Sequence, residues 1–200
     1  IFDKSIKDIK ENPDCLDVEF SCGLIRNFDL VIGADGIHSN VRKLIFGNEE
    51  KFSYSFGDYY YAIGTIDNYL ELDKTELFYT KPTRLVNVYS LGKEYSAKAL
   101  FIFCSPEIKF NYKSINQQKS DLSQVYKEDN WEVPAILDKI KKANDFYFDS
   151  LIQIKMDSWY TSRVALIGDA AYCPSLASGQ GTSLSLVGAY ILANELYSAN

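Results

Sequence analysis

Two hundred residues, a formal charge of −6, 46% hydrophobic and 24% charged residues describe an ordinary globular protein with enough chain to bury a core. The acidic balance and the scattered lysines and arginines argue against nucleic acid as a partner, because a phosphate-backbone binder needs a basic face. Four cysteines without a Cys-x-x-Cys pair, a single histidine (His38) and no long apolar stretch argue against a metal site, a disulfide framework and a membrane span, and point to the cytoplasm.

The first zone, residues 1–50, reads as strand, turn, strand and short helix. Leu16, Val18 and Phe20 alternate with polar neighbours as a half-buried strand does, and Ser21-Cys22-Gly23 makes a turn. The apolar run Phe28–Ile32 ends at Gly33, the pattern of a buried parallel strand. It leads into Gly33-Ala-Asp35-Gly36-Ile-His38-Ser39-Asn-Val-Arg42, a tight turn followed by a helix start with Ser39 as the expected N-cap. Arg42, one turn into that helix, is placed to pair with Asp35 or with a phosphate.

Residues 51–156 change character. Aromatic and β-branched runs around Tyr59–Tyr61, Leu77–Tyr79, Leu85–Tyr89 and Ala99–Phe103 are separated by turn signals at Asp67-Asn68, Lys81-Pro82 and Gly92-Lys93, which predicts successive antiparallel hairpins. From about 111 to 150 the chain turns helical: Ile136, Leu137 and Ile140 keep the spacing of an amphipathic helix starting near Pro134, with Lys139, Lys141 and Lys142 on its solvated face. Alternation from Leu151 to Met156 predicts one more strand.

The third zone, residues 157–200, is the most informative. An apolar strand starting at Arg163 ends in Gly168-Asp169, a Pro/Ser/Gly loop follows, and Gly179-Gln180-Gly181-Thr182 opens a helix. Leu184, Val187, Ile191 and Leu192, with Gly188, Ala189 and Ala193 between them, predict a helix buried on most sides. A carboxylate and a glycine-lined helix N-terminus at the carboxyl end of a strand suit a ligand with hydroxyls and negative charge, such as a polyol-bearing anionic cofactor. Cys173 lies in the same loop without a histidine near it in sequence, so a nucleophilic thiol is not expected.

Two strand-to-acid-to-helix junctions flanking an antiparallel sheet are far more specific than either alone, and at these residues the chain resembles the single-component FAD-dependent aromatic hydroxylases. Gly33-Ala-Asp35-Gly36-x-x-Ser39-x-x-Arg42 is similar to that family's second fingerprint, and Gly168-Asp169-Ala-Ala followed by Gly179-Gln180-Gly181 to its third. The resemblance implies an α/β fold, with an α+β middle, in which a mainly antiparallel substrate sheet (51–156) interrupts parts of an FAD-binding domain (1–50 and 157–200). It implies FAD contacts by Asp35, Gly36, Arg42, Gly168, Asp169, Gly179, Gln180, Gly181 and Thr182. It implies NADPH or NADH as reductant and hydroxylation of a small aromatic or similarly electron-rich substrate on the sheet, near Tyr59–Tyr61 or Phe101–Phe103.

The family's Gly-x-Gly-x-x-Gly turn does not occur in the sequence. The resemblance therefore implies a fragment that works with a preceding N-terminal segment or a partner chain, and that holds FAD weakly by itself. Reductase, dehydrogenase or halogenase chemistry on the same scaffold, or a non-catalytic remnant, remain alternatives at this point.

Overall fold

A computed structural model describes residues 2–106, 108 and 114–199. The start of the helical zone expected from 111 therefore lies outside the described residues. The chain divides into two compact units, residues 1–55 with 152–200, and residues 56–151.

In the first unit, β1 (Ile6–Glu11), β2 (Leu16–Phe20) and β3 (Ile25–Phe28) form an antiparallel sheet. β1 was not expected from the sequence: only Ile9 of its six residues is buried, so the apolar alternation that marks a strand is faint. The apolar run expected as one strand is split. Phe28 closes the antiparallel β3, while β4 (Val31–Gly33) pairs in parallel with β10 (Val164–Leu166) in the register Val31↔Val164, Ile32↔Ala165 and Gly33↔Leu166.

Helix α1 (Asn40–Phe46) packs on this pair through Val41. A β-carbon at Gly33 would stand 2.5 Å from a Leu166 methyl and 3.0 Å from Val41, so the close approach of strand and helix requires glycine there. Ile9, Leu16, Val18, Val41, Val164, Leu166, Ala170 and Ala171 form the core of the unit.

The second unit is a sheet of order β6-β7-β8-β5-β9, built from β5 (Ser53–Ile66), β6 (Thr75–Lys81), β7 (Arg84–Ser90), β8 (Ala97–Cys104) and β9 (Tyr147–Ile154). The three turns fall where the sequence placed them, and β9 begins four residues ahead of the expected Leu151 because Phe148 joins the core. β5 and β9 cross the boundary between the units.

Alternation in β8 is complete: Ala97, Ala99, Phe101 and Phe103 are buried and their neighbours are not. Helices α2 (Ile115–Val125) and α3 (Val133–Lys142) cover that face with Leu122, Ile136 and Ile140. The Tyr126 hydroxyl sits 3.0 and 3.1 Å from the Leu85 and Ile102 carbonyl oxygens, and its ring meets Phe101 and Phe103 edge-on. Each of these fully buried rings is worth about 2–3 kcal/mol of transfer free energy. Phe101 and Phe103 are therefore core, which corrects the expectation that a substrate contacts them.

Candidate functional site

Both junctions lie in the first unit. At the first, β4 runs into the Asp35-Gly36 turn and Ser39 caps α1, its hydroxyl accepting the Arg42 N–H at 2.9 Å. The same hydroxyl donates to Asp35 Oδ1 at 2.5 Å, and the Val41 N–H donates to Asp35 Oδ2 at 3.0 Å. Asp35 thus sits under the start of α1, satisfying the Val41 N–H and holding the capping hydroxyl of Ser39, the ordinary work of an N-terminal carboxylate.

Arg42 does not form the expected pair with Asp35. Its guanidinium is 1% exposed; Nη1 donates to the Ala170 carbonyl at 2.8 Å and Nη2 to the Ile37 carbonyl at 2.6 Å. Burial lowers its pKa, opposed by Glu49, whose carboxylate lies 3.9 Å away and also meets His38 Nδ1 at 2.9 Å.

At the second junction, β10 is tied to β4 by the Ile167 N–H donating to the Gly33 carbonyl at 2.9 Å. Gly168 then takes φ 62° and ψ −142°, a region closed to residues with a β-carbon, and its carbonyl accepts the Ala171 and Tyr172 N–H groups. This reversal launches the four-residue helix α4 (Asp169–Tyr172). The chain next passes Cys173, Pro174 and Ser175, and Gly179 in the left-handed region returns it to the start of α5 (Gly181–Ser198).

The start of α5 differs from that of α1. No side chain caps it, and its first backbone bond is the Leu184 N–H to the Gln180 carbonyl. The N–H groups of Gly181, Thr182 and Ser183 precede that bond and carry the positive end of the helix dipole. A β-carbon at Gly179 would meet nothing within 4 Å, and one at Gly181 would stand 3.6 Å from Asp169 Oδ1. The carboxylate and the open helix start therefore face one small region, which the structure leaves accessible down to the backbone.

One group here was invisible in the sequence. Ser175 has φ 78°, is 3% exposed, and its Oγ is a buried polar atom without a partner. The neighbouring Pro174 and Gly179 mark a constrained loop, but neither reports that a hydroxyl points inward. Cys173 is 4% exposed and burial pushes its thiol up to about 11, so it stays protonated at neutral pH and is no nucleophile.

The helix itself corrects the expectation of a buried α5: none of its residues is buried, and Leu186, Val187 and Tyr190 are exposed. The apolar periodicity is real, but among the described residues nothing covers most of it. A cavity of about 620 Å³ runs between α5 and the β10 region, lined by Trp159, Leu166, Tyr172, Leu184 and Val187 among others. No helix of the described residues is long and apolar enough to cross a membrane.

An α/β unit with a carboxylate and an uncapped helix start at a strand end, interrupted by an antiparallel sheet, has the build of a nucleotide-cofactor protein. The FAD binding domain family model matches residues 27–199, and the chain belongs to that family. Relatives named flavin-dependent monooxygenase include one from Legionella longbeachae, 43% identical over 199 residues and covering all of this chain and 51% of its own length. An uncharacterised protein of Mycobacterium tuberculosis is 44% identical over 199 residues, covering all of this chain and 53% of its own. The chain thus spans about half the length of the curated relatives it matches.

Among solved structures, the tetracycline destructases Tet(51) and Tet(55) superpose with TM-scores of 0.87 and 0.86 at 37% and 39% identity. Each match covers 98% of this chain, and 53% and 52% of those chains respectively.

The residues present fit FAD. The α5 start offers unsatisfied donors to an anionic group, Asp169 offers an acceptor to hydroxyls, and the buried Ser175 Oγ lacks a partner.

Proposed function

We propose that this chain carries the flavin-facing half of the FAD site in a monooxygenase driven by NADPH or NADH, whose substrate is a small aromatic or similarly electron-rich molecule. The observation that carries this reading is the pairing of Asp169 with the uncapped, glycine-lined start of α5. The names of the relatives support the monooxygenase class, and the neighbours named as tetracycline destructases are consistent with the proposed substrate class.

In this reading Asp169 accepts hydrogen bonds from the sugar-alcohol chain of the cofactor. The N–H groups of Gly181 and Thr182 would hold the ring end, their positive helix-dipole end favouring negative charge there. Gly168 aims Asp169, Gly179 leaves its side of the approach free of a side chain, and Gln180 stands at the N-cap position without capping the helix. Asp35 and Gly36 shape the first junction beside them. When bound, FAD supplies acceptance of two electrons from the nicotinamide and transfer of one atom of O2 to the substrate, the other leaving as water. The absence of an acid/base dyad from the sequence motifs agrees with chemistry carried by a cofactor.

The test is a fluorescence titration of FAD with the chain, followed by substrate-dependent NADPH oxidation and oxygen uptake in the protein loaded with FAD. Saturable quenching that is lost in Asp169→Ala supports the site. Equal affinity of wild type and Asp169→Ala overturns it, and bound FAD with no oxygen uptake for any aromatic or similarly electron-rich substrate overturns the monooxygenase assignment.

A further inference from the structure

We propose that Arg42 is a positioning residue: its buried guanidinium fork clamps the backbone of one junction to that of the other and thereby aims Asp169. This rests on the reading that Asp169 holds the cofactor. Arg42 has the wrong exposure for a direct contact, since it is among the largest fully buried side chains of the protein. What it touches is informative. Ile37 lies two residues after Asp35, Ala170 lies one residue after Asp169, and Nη2 and Nη1 reach their carbonyls at 2.6 and 2.8 Å across 5 and 128 positions of sequence.

The clamp matters because α4 has so little of its own. A helix of four residues is far too short to be stable alone, and its carbonyls have few partners inside it. Ala170 is fully buried, so its carbonyl needs a donor from elsewhere in the fold, and Arg42 is that donor. With the Ala170 carbonyl held, the Ala170–Ala171 peptide is fixed one residue on from Asp169, and through it the backbone that sets the direction of the carboxylate toward Gly181.

The Arg42 Nε atom has no partner, so the guanidinium is held by its two terminal nitrogens. Lysine carries the same charge, but its three N–H donors share one nitrogen, so it lacks the planar fork whose two separate nitrogens each meet one of these carbonyls. The junctions are thus coupled by geometry rather than by charge.

Cys173 reports on this clamp without any cofactor, because it is buried in the loop that α4 leads into and interacts electrostatically with Arg42. The experiment uses a background carrying Cys15→Ser, Cys22→Ser and Cys104→Ser. Wild-type Arg42, Arg42→Lys and Arg42→Ala are compared for FAD affinity, for the rate at which a thiol reagent modifies Cys173, and for the far-ultraviolet circular dichroism of the fold. The expectation for Arg42→Lys is FAD affinity at least about tenfold weaker and Cys173 modification at least about tenfold faster, with the dichroism unchanged. Guanidinium ion at low concentration restores Arg42→Ala in both readouts, and ammonium at the same concentration does not.

Wild-type behaviour of Arg42→Lys in either readout overturns the proposal, because charge alone then suffices or the clamp does not reach the cofactor site. If Arg42→Ala fails to fold even with guanidinium, the lysine variant decides. If Asp169→Asn leaves FAD affinity intact, the assignment of Asp169 to the cofactor falls instead, and the Cys173 rate still decides whether the clamp exists.

Discussion

The two junctions share a plan and differ in how it is finished. Each brings a short parallel strand to a glycine, an acid and a helix, and in a one-line motif they look equivalent. At the first, Ser39 and Asp35 satisfy the start of α1, and the acid is spent on its own helix. At the second, Asp169 belongs to one helix and faces the start of another, and nothing caps α5. The difference teaches that an acid beside a helix start marks a ligand site only when the helix donors remain unspent. A cap and a binding site are two uses of the same orphan N–H groups.

The sharpest way to break this comparison is to remove each acid in turn. Asp169→Ala is expected to weaken FAD binding by about 2 kcal/mol, roughly thirtyfold, the worth of a charged hydrogen-bond acceptor. It should hardly move the melting temperature. Asp35→Ala should do the reverse, lowering stability by about 1–2 kcal/mol through loss of the cap network. A common pattern for both variants in paired titrations and melts would erase the distinction.

A narrower test removes one donor without disturbing the fold. Proline is tolerated in the first turn of a helix, so Thr182→Pro deletes an N–H at the start of α5 while leaving the helix intact. FAD affinity is expected to fall by about 1–1.5 kcal/mol, close to tenfold, with circular dichroism unchanged. An unchanged affinity would show that the helix start is not used.

The smallest effects come from exchanging the caps. Ser39→Ala should cost about 1 kcal/mol of stability, seen as a lower denaturation midpoint, without changing FAD affinity per folded molecule. Gln180→Asp should add about 0.5–1 kcal/mol by capping α5 and weaken FAD by competing for the same N–H groups. Opposite signs on stability and affinity in that one variant are the signature of an open helix start.

Much of this was readable from residues alone, for local reasons. Ser39 caps α1 because its offset from Arg42 fits the geometry of a helix start, Pro134 opens α3 because its fixed φ suits the first turn, and the hairpin turns announce themselves by residue type. What escaped depends on partners distant in sequence. β1 exists because β2 pairs with it, in a register from Ile6↔Phe20 to Glu11↔Leu16, not because its own residues demand a strand. The tie from Arg42 ends on a carbonyl, and every residue has one, so no sequence signal marks Ala170 as its target. For α5 the periodicity reports which face is apolar and is silent on what lies against it.

The first unit is discontinuous, and that sets an order of events for the growing chain. β4 and Arg42 are made long before β10 and Ala170, with 128 positions between the two ends of the clamp. Closing a free loop of that length costs about 4 kcal/mol in chain entropy. The intervening second unit removes most of that cost if it folds first, because its strands β5 and β9 are hydrogen-bonded neighbours that gather the two crossings of the chain. The antiparallel sheet then serves assembly: it closes the loop, and the later segment, bearing Asp169 and α5, completes the parallel pair.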